Sequence, residues 1–168
     1  MSEPADNLIY SFKPIFNEDS RVLILGTMAS PASLRAGIYY AHPQNAFWRI
    51  LSMLVGDEMP ASNEAKRAFL LRHGIALWDT LQSCERDSAA DSAIRREIPS
   101  DVASLVKCCP KISAVFLNGG AAYKYYKKYH SAQIDLPFHG LPSTSPANAR
   151  GGIDTKLEAW RVAAKYLI

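Results

Sequence analysis

The segments RVLILG at 21–26 and ISAVFLNGG at 112–120 carry apolar residues without alternation, and each ends at glycine. A strand that is apolar at successive positions must be covered on both faces, which is the situation of a central parallel strand in an α/β protein. IALWD at 75–79 reads as a further strand, and HGLPSTSPANAR at 139–150 as a short strand or turn dense in Ser and Pro. NAFWRILSMLVG places Phe47, Ile50, Leu51 and Leu54 at helical spacing, with Gly56 as its stop. NEAKRAFLLRHG, DVASLVKCC (Asp101 in its first turn, Pro110 past its end), AAYKYYKKYH and TKLEAWRVAAKYLI supply four more helices, while 88–100 reads as a mobile or helical connection. The expectation is α/β: a three-layer α/β/α sandwich around a central, mostly parallel four-stranded sheet, in one domain over 1–168.

In such a sheet a ligand binds at the carboxyl ends of the strands. The loops at 26–33, 79–80, 118–120 and 141–148 therefore frame the candidate site. GTMAS lacks the G-x-G-x-x-G of dinucleotide binders and the Lys-Ser/Thr of a P-loop, no serine sits in a G-x-S-x-G elbow, and no His/Asp/Glu cluster has zinc spacing. Neither a metal nor an organic cofactor is expected. Cys84, Cys108 and Cys109 are odd in number and lack C-x-x-C spacing, which argues against a disulfide framework and fits a reducing cytoplasm. The N-terminal residues do not read as a signal peptide, and no apolar run approaches the roughly 18 residues of a membrane span. With 19 basic and 16 acidic residues the net charge is +3, too weak a field to identify a partner.

Four segments in one order, LILGTMASPASL, YYAHPQNAFWRIL, LNGG and LPSTSPANA, resemble the uracil-DNA glycosylase superfamily, most closely its hypoxanthine (deoxyinosine) branch. The resemblance runs over roughly residues 20 to 165. It implies a monofunctional monomeric enzyme, cytoplasmic or nucleoid-associated, acting on double- or single-stranded DNA that contains deaminated bases. Such an enzyme flips a base out of the helix and hydrolyses its N-glycosidic bond, leaving an abasic site. Its alternatives are a uracil, xanthine or mismatch glycosylase, or a DNA-binding module of the same fold without catalysis.

The resemblance also distributes roles. Tyr40 matches the residue that stacks on the extruded base; on the residues alone it reads as a core or surface tyrosine after a turn. Asn45 matches the catalytic asparagine, although its place before a helix equally makes it a cap. Gly26, Thr27, Met28 and Asn118 would face the base, and Ser143, Ser145, Asn148 and Arg150 the DNA phosphates. Met28 stands where uracil-specific relatives carry Asp or Asn, and Ala29-Ser30 replaces a Pro-Gly. His42 and Pro43 would shape the turn. Asp79 reads as a residue near the crevice or a structural carboxylate, and the Lys124, Lys127 and Lys128 helix as a DNA-backbone contact or a solvated face.

Overall fold

The computed structural model describes residues 8–148 and 152–167. Its first half runs β1 (Leu8–Tyr10), β2 (Val22–Gly26), α1 (Pro31–Ala36), α2 (Phe47–Val55), α3 (Asn63–Arg72), β3 (Ile75–Asp79) and β4 (Leu81–Glu85). There follow β5 (Arg95–Pro99), α4 (Val102–Cys108), β6 (Ala114–Asn118), α5 (Gly120–Tyr129), β7 (Phe138–Leu141) and α6 (Gly152–Trp160), with short 3-10 turns between or after them.

The apolar segments form one four-stranded sheet in the order β3-β2-β6-β7, every neighbouring pair parallel. Alternate side chains of a strand leave on opposite faces, so this sheet serves two cores. Val22, Ile24, Leu77 and Phe116 pack with Phe47, Ile50 and Leu51 of α2, Phe69 and Leu70 of α3, and Trp160 of α6. Leu23, Leu25, Val115 and Leu117 pack with Val102 and Leu105 of α4 and with Ala122 and Tyr126 of α5. The result is the three-layer α/β/α sandwich expected from the apolar strands.

Local chemistry sets the helix ends. Ser62 accepts from the Ala65 amide at 3.0 Å at the start of α3, and Asp101 accepts from the Ser104 amide at 3.2 Å, which makes it the cap of α4 and not part of its first turn. Gly56 closes α2 in the left-handed region, φ 68°.

The segment at 88–100 corrects the expectation of a mobile or helical connection. Only Asp91–Ala93 makes a helical turn, and the rest is β5, which pairs antiparallel with β4 while β4 pairs antiparallel with β1. An edge strand has neighbours on one side only, so charge on it is tolerated and even protective. Arg95 and Arg96 accordingly reach Glu85 of β4 at 3.7 and 3.6 Å, and Arg95 also pairs with Asp87 at 3.0 Å.

Thr80 alone separates β3 from β4, so one ribbon leaves the parallel sheet and enters the antiparallel one. The Thr80 carbonyl accepts from His130 Nε2 at 2.8 Å and from the Ser100 amide at 3.1 Å, and its own amide donates to the Gly26 carbonyl at 2.8 Å. That corner fixes Asp79 beside Gly26.

Candidate active site

The carboxyl ends of β2, β3 and β6 open into a cavity of about 170 Å³. Gly26, Thr27, Met28, Tyr40, Asn45, Asp79, Asn118, Ser143 and Ser145 all contribute to its lining. The volume corresponds to five or six waters at ~30 Å³ each, the scale of one heterocyclic ring system.

Gly26 forms the floor by having no side chain. A Cβ there would lie 2.5 Å from the Tyr40 hydroxyl and 2.7 Å from Asp79 Oδ1, distances that no real Cβ tolerates. Tyr40 reaches this floor from a left-handed backbone, φ 55°. Its ring stacks on Phe47 with centroids 4.1 Å apart, and its hydroxyl is buried without a hydrogen-bond partner among the described residues. Burial first, and the Asp79 carboxyl second, hold that phenol well above its ordinary pKa.

Asn45 precedes Ala46, the residue at the formal cap position of α2, yet it does cap the helix: its Oδ1 accepts from the Phe47 amide at 3.0 Å. That donor fixes which end of the amide is oxygen. The NH₂ end has no protein partner among the described residues, so the side chain serves the helix with one end and keeps the other unengaged in a residue that lines the cavity. His42 is exposed and takes the Gln44 amide on Nδ1 at 3.1 Å, while its carbonyl takes the Asn45 amide at 2.9 Å. It shapes the turn.

The last loop is held by Thr144, which is 1% exposed. Asn118 Nδ2 donates to its Oγ1 at 3.0 Å, Asn118 Oδ1 accepts from its amide at 3.0 Å, and its carbonyl accepts from the Ala46 amide at 3.0 Å. Asn118 thus lines the cavity while both ends of its amide bind the loop. Ser143 Oγ accepts from the Ser145 amide at 3.1 Å, and Ser145 Oγ accepts from the Ala147 amide at 3.2 Å, and neither hydroxyl proton has an acceptor among the described residues.

Residues 13–164 match the family model described as the uracil DNA glycosylase superfamily. The chain belongs to that superfamily. Among its relatives are a hypoxanthine DNA glycosylase of Methanosarcina barkeri, 30% identical over 92% of this chain and 96% of the other, and one of Methanosarcina acetivorans, 31% identical over 83% and 87%. A solution NMR structure of a candidate uracil DNA glycosylase from Methanosarcina acetivorans superposes with a TM-score of 0.82 at 28% identity, covering 94% of this chain and 97% of that one.

For a member of the uracil DNA glycosylase superfamily, the remaining expected residues fall as follows. Met28 reaches the cavity wall, but its side chain is buried with Leu81, Cys84 and Tyr125 beneath the small sheet. Asn148 lies outside the lining and donates through Nδ2 to the Ser143 carbonyl at 3.3 Å. Arg150 lies outside the described residues. Ser30 caps α1 by accepting from the Ser33 amide at 3.1 Å, which is what Ala29-Ser30 does in place of Pro-Gly. The α5 lysines line no part of the cavity; Lys128 pairs with Glu97 at 3.1 Å. Among the described residues no helix is long and apolar enough to cross a membrane, and no group of three or more His, Cys, Asp or Glu side chains could hold a metal ion.

The superfamily motifs do not contain two charged groups that the fold brings to the cavity, Arg86 and Asp91, both in the connection after β4. Arg86 is buried and donates to the Ala29 carbonyl at 2.7 Å. Asp91 is exposed as a residue, yet protein crowding around its carboxyl raises its pKa against the pull of Arg86. Asp79 is more deeply enclosed. Burial pushes its carboxyl up to about 7, opposed by a 2.9 Å bond from the Ser11 hydroxyl to Oδ2, raised further by Asp91 and lowered by Arg86.

Proposed function

We propose that this protein excises a deaminated base, hypoxanthine in preference, from double- or single-stranded DNA, hydrolysing the N-glycosidic bond and leaving an abasic site. It acts as a monomer in the cytoplasm, at the nucleoid. The observation that carries this reading is Asn45, which lines a base-sized cavity with an NH₂ end that has no partner among the described residues, while position 28 offers no acid or amide. That the two Methanosarcina relatives are hypoxanthine DNA glycosylases supports the choice of base.

The Asn45 NH₂ is placed to donate to the attacking water or to the departing base, where charge builds in the transition state. A base extruded from the helix loses its stacking partners. Tyr40, its rear face backed by Phe47, offers a π-surface to replace them. Gly26 and Thr27 let backbone approach the base closely, with Met28 closing the wall beside them. Ser143 and Ser145 donate to backbone phosphates flanking the lesion. Asn118 acts through Thr144, positioning that loop, and Asn148 braces it; Arg150 completes the phosphate contacts.

Single-turnover incubation of labelled duplexes containing hypoxanthine, uracil or xanthine, followed by alkaline cleavage, tests the reading. Abasic product chiefly from hypoxanthine, reduced about 10²-fold or more in a folded Asn45→Ala variant, is the expected result. Full activity in that variant returns Asn45 to helix capping alone. DNA binding without product from any of the three bases refutes the glycosylase reading.

A further inference from the structure

Asp79 is the buried acid that the proposed chemistry has not yet used. It is 2% exposed, lines the cavity floor, and has one oxygen, Oδ2, engaged by the Ser11 hydroxyl. The other, Oδ1, stands against Gly26 beside the Tyr40 hydroxyl and has no hydrogen-bond partner among the described residues. A carboxylate so largely buried is costly, whereas a neutral carboxylic acid in the same place is a donor open to whatever fills the cavity.

The groups around it agree. Ser11 approaches from the segment after β1, the Tyr39 and Tyr40 hydroxyls from the turn after α1, and Arg86 and Asp91 from the connection after β4. Arg86 and Asp91 offset one another, so an ionised Asp79 leaves the cavity with an excess negative charge. A departing purine also becomes negative as its bond to the sugar breaks, and two like charges in one enclosed site repel strongly.

We propose that Asp79 is the general acid of the reaction, handing the proton on Oδ1 to the imidazole-ring nitrogen N7 of the departing purine. This rests on the glycosylase reading above and adds its leaving-group chemistry. The C1′–N9 bond breaks with its electron pair going to the base, which leaves as a neutral molecule because N7 has gained the proton. Water adds its oxygen to C1′ and releases a proton to solvent, and solvent reprotonates Asp79, so that one water is consumed and one base and one abasic sugar are formed. The carboxyl is kept protonated near neutrality by its burial, which is where a general acid is most effective.

The test is the single-turnover rate on hypoxanthine duplex between pH 5 and 9, for wild type and Asp79→Asn. The wild-type rate is expected to be level at low pH and to fall tenfold per pH unit above about 7. The variant is expected to be slower by about 10² to 10⁴ below that pH and flat above it, while binding a duplex with an uncleavable 2′-fluorinated deoxyinosine as wild type does. Wild type on 7-deazahypoxanthine, which lacks the accepting nitrogen, is expected to be slowed and pH-insensitive, a result that needs no folded variant. A uniform loss in Asp79→Asn with the pH slope retained makes Asp79 structural and overturns the assignment. So does a normal rate and slope on the deaza base. No cleavage by wild type at any pH removes the glycosylase reading itself, whereas cleavage with a variant matching wild type removes only the role of Asp79.

Discussion

At the scale of single residues the site depends on atoms that are absent and on polar atoms that are fully engaged. Gly26 belongs to the first kind, since a methyl group there meets Tyr40 and Asp79 inside van der Waals distance. Gly26→Ala is therefore expected to lose roughly 1–3 kcal/mol of stability to overpacking, read by urea unfolding, and to lose cleavage as Tyr40 and Asp79 are pushed apart. Asn118 is of the second kind. Asn118→Ala strands the Thr144 amide and hydroxyl in the interior, a loss of about 1–3 kcal/mol for each group left unpaired. Because the clamp orders the loop proposed to hold the DNA phosphates, the same variant is expected to raise KM for duplex in steady-state assays more than it lowers kcat.

At the scale of elements, the 143–145 loop joins two neutral hydroxyls to the DNA backbone in the proposed complex. Neutral donors release no counterions. Ser143→Ala with Ser145→Ala is thus expected to weaken duplex binding in fluorescence anisotropy titrations while the slope of affinity against salt stays at its wild-type value. What was legible in the sequence follows the same scale. β2, β3 and β6 declared themselves because burial on both faces demands unbroken apolar runs, whereas the edge strand β7, Phe138–Leu141, is only partly buried and read as a strand or a turn; the strand-end rule then located Gly26, Asp79 and Asn118 together. β5 did not, because RREIP satisfies its charges against Glu85 and Asp87, contacts that exist only once β4 is beside it. The six-residue α1 was readable in principle from Ser30-Pro31, a cap followed by the favoured first helical residue. Thr144, Arg86 and Asp91 carry no local signal, since each acquires its role from partners far away in the chain.

At the scale of the whole molecule, Asp79 tilts stability against pH. Its folded pKa, about 7, lies above that of an unfolded aspartate near 4. Between those values the unfolded chain has released a proton that the native state keeps, so its contribution is full below about pH 4 and is lost as pH rises through 7. Asp79→Asn is expected to remove that dependence, raising Tm at pH 8 while changing it little at pH 4; the difference is on the order of 4 kcal/mol at most. Asp19, Asp57, Asp87 and Asp101, whose partners lower their pKa values, act in the opposite sense and lose their contributions only as pH falls below the ordinary carboxylate range.

The corner at Thr80 has a consequence for how such an enzyme can change its diet. Floor and far wall of the cavity stand on two separate sheets whose strands β3 and β4 are joined by that single residue, and the connection carrying Arg86 and Asp91 grows from the smaller one. Residues added to or removed from that connection reset the width of the chamber without moving Asn45, which is anchored on α2. On the proposed roles, appetite for a larger or smaller lesion and the power to cut it out are thereby separable, so that selection can act on the one while leaving the other in place.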